Sequence, residues 1–210
     1  MKITIIYDNT ALPGFQSDWG FSCLVEAYDK KILFDTGALS EILFFNMERL
    51  KIRPESIDEV FISHHHWDHF GGLTDLLECH SVPVYLPPSC VEPSRAQRVI
   101  WVEQPLQIHP HIFSTGPLGG IEQSLVVETE KGLVIIVGCS HPGVDVILET
   151  ANQFGKPYAL IGGLHGFRKF DCLSKLKLIC PTHCTQFKSE IKADFPQAYV
   201  EGGAGKVIEI

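Results

Sequence analysis

The chain has 210 residues, 45% hydrophobic and 20% charged, with 18 Gly and 13 Pro, a globular composition that excludes wholesale disorder, collagen and coiled coil. Seventeen basic against 25 acidic residues give a formal charge of -8, and no run of Lys or Arg offers a patch to a polyanion, so no nucleic-acid partner is expected. No apolar run approaches the ~18 residues that cross a bilayer, residues 1–9 lack a leader pattern, and seven scattered Cys suit a reducing compartment, so a soluble cytoplasmic protein without membrane contact is expected.

Lys2 to Tyr7 reads as a strand, and Asn9 to Gly20 as a loop carrying Pro13 and Gly14. Phe21 to Tyr28 and Lys31 to Phe34 flank Asp29-Lys30 as a hairpin. Leu39, Ile42, Leu43, Met47 and Leu50 recur at helical spacing over 39–50 and stop before Pro54. Ile57 to Ile62 is a short apolar strand running into Ser63-His64-His65-His66-Trp67-Asp68-His69-Phe70-Gly71-Gly72, with a helix starting near Asp68. Val82 to Leu86 is a strand, 89–99 a short helix, and Leu106 to Ser114 edge strands. Ser124 to Thr129 and Leu133 to Val137 are strands around the turn Glu130-Lys131-Gly132, followed by a helix opened by Gly138-Cys139-Ser140-His141-Pro142-Gly143 and running to about Phe154. Tyr158 to Ile161 and Leu178 to Cys180 are strands, 169–177 and 185–194 helices, and Lys206 to Ile210 a closing strand. No linker or charge block divides residues 1–210, so one domain is expected, a layered sandwich of two sheets with outer helices.

Ten His against two Met is the compositional oddity, and four of the ten lie within residues 64–69. Imidazoles and a carboxylate are the ligands that a borderline divalent cation takes. In a strand continued through 66, His64 and His66 share a face and His65 points away. Asp68 and His69 on the following turn reach a second ion, and two ions ~3.5–4 Å apart can activate one water. Consecutive His alone would also suit a chance tract or a nonspecific chelator. The preceding apolar strand, the interleaved Asp68 and the closing Gly71-Gly72, where backbone can approach closely, point instead to a built site.

The His64-x-His66-x-Asp68-His69 block resembles the signature of the metallo-β-lactamase superfamily. Leu33-Phe34-Asp35-Thr36-Gly37 resembles that family's early strand-to-loop motif, whose Asp supports the ligand loop; Gly138-Cys139-Ser140-His141 and Pro181-Thr182-His183-Cys184 fall where later His ligands stand. The resemblance covers the whole chain and implies an α+β four-layer αββα sandwich with the metal site at one edge between the sheets. It implies two divalent ions, zinc first, with manganese or iron as alternatives. His64, His66 and His141 would hold one, and Asp68, His69 and His183 the other. Many relatives carry a strand ending in Gly-Asp that bridges the ions, whereas this chain has Gly138-Cys139. Cys139 is expected to be a small buried hydrophobe, thiolate ligation being the alternative. Asp8-Asn9, the Gly-Cys-Ser-His run, Ile161-Gly162-Gly163-Leu164-His165 and His183-Cys184-Thr185 are similar to the branch that includes the ribofuranosylaminobenzene phosphate synthase of methanopterin biosynthesis. That branch often carries Gly where this chain has Gln186, and it tends to be longer around 90–115.

A metal-dependent hydrolase follows from the resemblance, acting on an ester, lactone, amide or phosphoester-like centre of a small molecule. Asp68 is the expected catalytic carboxylate besides touching metal. His165 is expected near the site, as proton donor to the leaving group or as a ligand in place of the missing Asp. Trp67 is expected to wall the pocket, core packing being the alternative, His80, His109 and His111 to be surface or structural, and Asp145 to lie on a helix surface. The rivals are a di-iron redox or electron-transfer protein on the same fold, a pterin-synthase-like enzyme, and a sensor without catalysis. Cys172, Cys180 and Cys184 match neither iron–sulfur spacing and are read as plain thiols.

Overall fold

The computed structural model describes all 210 residues, and its first strand pairs with its last. β1 (Lys2–Tyr7), β2 (Ser22–Ala27) and β3 (Lys30–Phe34) form an antiparallel meander. The β2–β3 turn places both Tyr28 and Asp29 at positive φ, the conformation that a two-residue hairpin requires. α1 (Ser40–Arg49) crosses over to β4 (Glu59–Phe61), which pairs parallel to β3. The one-turn α2 (Trp67–Phe70) and α3 (Leu73–Cys79) lead to β5 (Pro83–Leu86), and β6 (Arg98–Trp101) follows, both parallel. With β13 (Val207–Glu209) beside β1, this sheet has the order β13-β1-β2-β3-β4-β5-β6.

The second sheet is built from β7 (Leu106–His109), β8 (Ile112–Ser114), β9 (Leu125–Thr129), β10 (Gly132–Val137), β11 (Pro157–Gly163) and β12 (Leu178–Thr182), in the order β12-β11-β10-β9-β8-β7. β10, β11 and β12 run parallel, with α4 (Val144–Ala151) between the first two; α5 (Lys188–Asp194) follows β12. No helix is long and apolar enough to cross a membrane.

Side-chain alternation sorts the apolar residues into three layers. Ile3, Ile5, Phe34 and Phe61 of the first sheet meet Leu125, Val134, Ile136 and Ile161 of the second between the sheets. Leu33, Val60 and Val84 face outward onto Leu43 and Met47 of α1 and Leu73, Leu76 and Leu77 of α3. Leu133, Ile135 and Val137 face outward onto Val144, Ile147 and Leu148 of α4. Strands such as Gly132–Val137 therefore read as continuous apolar runs, because both of their faces are covered. These three apolar layers separate four structural layers, the αββα sandwich.

Two expected helices are absent. The expected helix at 89–99 ends in the first residues of β6, an edge strand whose Val99, Ile100 and Trp101 suit a pleated surface and pair with Val84, Tyr85 and Leu86, and residues 89–97 hold no helix. Residues 169–177 hold only a 3-10 turn, Phe170–Leu173. Its Leu173 and Leu176 reach the outer apolar layer, and the Lys177 N–H already bonds Tyr158 O, so no length remains for a helix. Only β7 of the two expected edge strands lies at an edge. α4 and α5 also start later than their sequence suggests, at Val144 and Lys188, because the residues before them are used otherwise.

Candidate metal centre

The chain segments that follow β3, β4, β10, β11 and β12 all emerge at one end of the sandwich, where parallel strands leave a crevice beyond their carboxyl ends. Four of them turn through non-glycine residues at positive φ: Asp35, Ser140, His165 and His183. Such strained positions concentrate where a site over-determines the backbone.

Asp35 is fully buried and organises the histidine loop. Its carboxylate accepts from the Ser63 N–H and Oγ–H, both at 2.7 Å, and from His69 Nδ1–H at 2.7 Å. The Ser63 N–H is thereby taken out of the ladder, so β4 ends at Phe61 and the strand does not continue through 66 as the alternation argument assumed. His64 and His66 still converge, with Nε2 and Nδ1 3.0 Å apart, while the exposed His65 turns onto Phe70.

Each buried imidazole is held in one tautomer by the partner behind it. His64 Nδ1–H donates to Ser63 Oγ at 2.9 Å, since that hydroxyl spends its own proton on Asp35. Asn9 Nδ2 donates to His183 O, which turns Asn9 Oδ1 toward His183 Nδ1–H at 2.8 Å. The lone pairs of His64, His69 and His183 Nε2 are therefore left facing inward. His183 Nε2 lies 3.2 Å from Asp68 Oδ2 with no hydrogen bond, and His141 Nε2 is likewise buried without a partner. Atoms bound to one tetrahedral ion at ~2.0–2.3 Å stand roughly 3.3–3.8 Å apart. The facing atoms lie 3.0 to 3.8 Å apart, within a few tenths of an ångström of that spacing, and have that chemistry, so the residues present fit divalent cations. Partners that fix the tautomer of a ligating His are the usual outer layer of such centres.

His64, His66 and His141 come together in one group that could hold an ion, and Asp68, His69 and His183 in another, each with its donor atoms within 4.8 Å of one another; Cys139 groups as closely with His64 and His69, and with His183 and Cys184. His165 joins none of these groups. It is exposed, with its ring 5.3 Å from that of His141, at the rim of a cleft of about 390 Å³. Trp67, 65% exposed, lines the same cleft, which excludes the core-packing alternative for it. His109 and His111 pair with Glu59 and Glu128 away from the centre, and Asp145 bonds Lys169 on the helix surface.

Trp19 and Glu122 contribute without any sequence signal, and Cys184, which the sequence shows only as part of a motif, contributes as well. Trp19, from the loop after β1, donates Nε1–H to Asp68 Oδ2 at 2.8 Å. Glu122, fully buried, accepts the backbone N–H groups of Gly138, Cys139 and Ser140 at 3.0 Å each on one oxygen, and that of His141 at 2.9 Å on the other. Cys184 lines the cleft with its Sγ 3.3 Å from that of Cys139, which in turn lies 3.2 Å from His69 Nε2. Cys139 is buried as expected, but among polar atoms.

Burial, reinforced by the neighbouring imidazoles, holds His64 and His69 well below the usual histidine range. Both stay neutral in the fold while they charge below pH ~6.5 in an unfolded chain, so the stability they contribute is complete above that pH and falls as the solution is acidified. The metal-free protein is expected to show a urea midpoint that drops from pH 7 to pH 5. Burial raises the Glu122 carboxyl to about 7, which opposes this effect in the same window, so the histidine contribution is read as the difference between the wild type and His64→Gln. Equal pH profiles for the two would contradict a buried neutral His64.

A family model of the metallo-beta-lactamase superfamily matches residues 20–153, a span that includes His64 through His141 but not His165 or His183. The 7,8-dihydropterin-6-methyl-4-(beta-D-ribofuranosyl)-aminobenzene-5'-phosphate synthase of Methanocaldococcus jannaschii is 29% identical, with 93% of this chain and 91% of the relative covered. That alignment runs over 267 positions, more than the 210 residues of this chain, so the relative carries insertions. An uncharacterized protein of the same organism is 26% identical over 99% of this chain and all of its own length. Among solved structures, a metal-dependent hydrolase of the beta-lactamase superfamily superposes with a TM-score of 0.79 at 27% identity, covering 100% of this chain and 99% of its own.

Proposed function

The chain belongs to the metallo-beta-lactamase superfamily, and from that premise we propose that it is a metal-dependent hydrolase acting on an ester, lactone, amide or phosphoester-like group of a small molecule. The observation that carries the reading is the pair of ligand sets, His64/His66/His141 and Asp68/His69/His183, opening into one cleft. Bound divalent ions would polarise the electrophilic oxygen and lower the pKa of a water toward neutrality. Zinc suits the imidazole-rich sets, with manganese and iron as alternatives.

The chain's own groups do the rest. Asp68, held by Trp19 Nε1–H, keeps its second oxygen free to orient a water or take its proton. His165, exposed at the rim, is placed to protonate a leaving group that points outward. Trp19 and Trp67 line the cleft and would exclude water from one side of a bound substrate. The cleft of about 390 Å³ suits a small molecule rather than a polymer, and the acidic chain offers no track for nucleic acid. Residues 1–210 act as one domain, closed by the pairing of β1 with β13.

A second reading, a pterin-pathway synthase-like activity, is favoured by the M. jannaschii relative, most of whose length aligns. The extra positions in that alignment count against carrying its substrate over, because loops around the cleft decide what binds. Elemental analysis of untagged protein purified without chelator is the test. About two divalent ions per chain, with turnover on a panel of esters, lactones and phosphodiesters that chelation abolishes and cation restores, is the expected result. No metal after reconstitution would remove the proposal.

A further inference from the structure

The seven cysteines do not share one environment. Cys23 and Cys180 pack between the sheets and Cys90 under the α1–α3 layer, all within apolar clusters. Cys172 rests against the outer layer of the second sheet, and Cys79 is exposed. Cys139 and Cys184 alone meet thiol to thiol, the Cys184 S–H donating to Cys139 Sγ at 3.3 Å. Neither belongs to an apolar cluster, whereas a thiol that serves as a small hydrophobe lies among apolar atoms.

The approach of the two thiols depends on the strand between them. Cys139 follows β10 and Cys184 follows β12, with β11 in the middle. A Cβ at Gly163, the last residue of β11, would stand 2.8 Å from Cys184 Sγ and 3.3 Å from Cys139 Cα. Without that carbon, Cys184 reaches across the sheet end to its partner. The two also differ in access. Both line the cleft, but Cys139 is only 4% exposed, while Cys184 is half-buried on the cleft wall. A small oxidant entering the cleft therefore meets Cys184 first and finds Cys139 behind it. That is the arrangement of an accessible thiol backed by a resolving one.

We infer that Cys139 and Cys184 are an oxidative modification site, closed into a disulfide by a hydroperoxide that enters the cleft, and that this closure turns the centre off. The Cys184 sulfur attacks one peroxide oxygen; the O–O bond breaks, Cys184 becomes a sulfenic acid, and the other oxygen leaves as water or an alcohol with the thiol proton. The Cys139 sulfur then attacks that of Cys184. The S–S bond forms, the S–O bond breaks, and the hydroxyl departs as water with the Cys139 proton. The pair loses two electrons and the peroxide gains them. A dithiol restores both thiols by exchange.

The effect on the centre rests on the metal reading proposed above. A disulfide is ~2.05 Å long, so sulfurs now 3.3 Å apart must close by roughly 1.2 Å. The movement falls on two tight turns, His183-Cys184 with His183 at φ 47, and Cys139-Ser140-His141 with Ser140 at φ 61. Those turns aim one imidazole of each histidine group, and metal–ligand distances tolerate only about 0.2 Å.

The reduced, metal-stripped full chain, treated with a slight excess of hydrogen peroxide and then freed of it by catalase, tests this without any substrate. Mass spectrometry of a digest reads the link, and zinc uptake against a chromogenic indicator reads the centre. The treated wild type is expected to yield a peptide pair joined through Cys139 and Cys184. It should also take up at least one zinc ion per chain fewer than before treatment, with dithiothreitol reversing both changes. C184S is expected to yield no such pair and to keep through the same treatment the uptake it shows beforehand. No link between the two residues, or a link that leaves zinc uptake unchanged, would overturn the inference. An equal loss of uptake in treated C184S would overturn it too, since oxidation elsewhere would then be responsible. A reduced wild type that takes up no zinc would remove the metal reading and the switching drawn from it, while the joined peptides would still decide the modification itself.

Discussion

Replacing His66 by Ala is expected to remove one ion from the centre and abolish most turnover while leaving the fold as stable as before. His66 is exposed, caps no helix with its side chain, and sits in no apolar cluster, so the change falls in the class that moves stability by ~0.5 kcal/mol or less. Its Nδ1, however, stands 3.0 Å from His64 Nε2 in the set completed by His141. Loss of a mere outer-shell partner of a metal ligand typically costs ~10–100-fold in affinity or activity, and loss of a direct ligand must exceed that. His65→Ala is the internal comparison. Its ring turns away onto Phe70, so metal content, turnover and urea midpoint should all match the wild type. Equal metal content in His66→Ala and His65→Ala would refute the assignment of His66 as a ligand.

The contrast between these adjacent histidines was legible in the sequence, although the strand used to argue it stops at Phe61. What survives is the convergence of His64 and His66 with His65 turned away, now enforced by Asp35 on Ser63 rather than by ladder pairing. The αββα layering was legible for a related reason: strands covered on both faces must be apolar throughout, as Val134 to Val137 are. His141 and His183 could be found because each follows such a strand and sits beside a short recognisable run.

Glu122 and Trp19 could not be found that way. Glu122 reaches its four partners 16 to 19 residues further along, and Trp19 meets Asp68 49 residues away, across loops with no periodicity. Cys184 was legible as a residue but not as a site, because its contact with Cys139 exists only where Gly163 leaves space. The expected helices at 89–99 and 169–177 failed because pairing with β5 and the Lys177–Tyr158 bond took the backbone elsewhere.

Glu122→Ala should be the most damaging single change outside the ligands. The four consecutive N–H groups of residues 138–141 all point at this one carboxylate, an anion nest filled from within the chain. The turn that aims them places Ser140 at φ 61, a conformation that needs external support. A buried donor left without a partner costs ~1–3 kcal/mol. Water entering the vacated space would satisfy one or two of the four, so the metal-free protein should lose about 3–5 kcal/mol in urea unfolding. The metal centre should suffer as well, because the same loop carries Cys139 and His141. Glu122→Gln separates the two roles of the carboxylate. Its amide oxygen can keep the three bonds made by one oxygen, while its NH2 would face the His141 N–H, donor against donor. A smaller stability loss of about 1–3 kcal/mol is expected there, with the ion of the His64, His66 and His141 set lost in preference to the other. If Glu122→Ala unfolds at the wild-type urea midpoint and retains its metal, the loop supports itself and the nest has no part in building the centre.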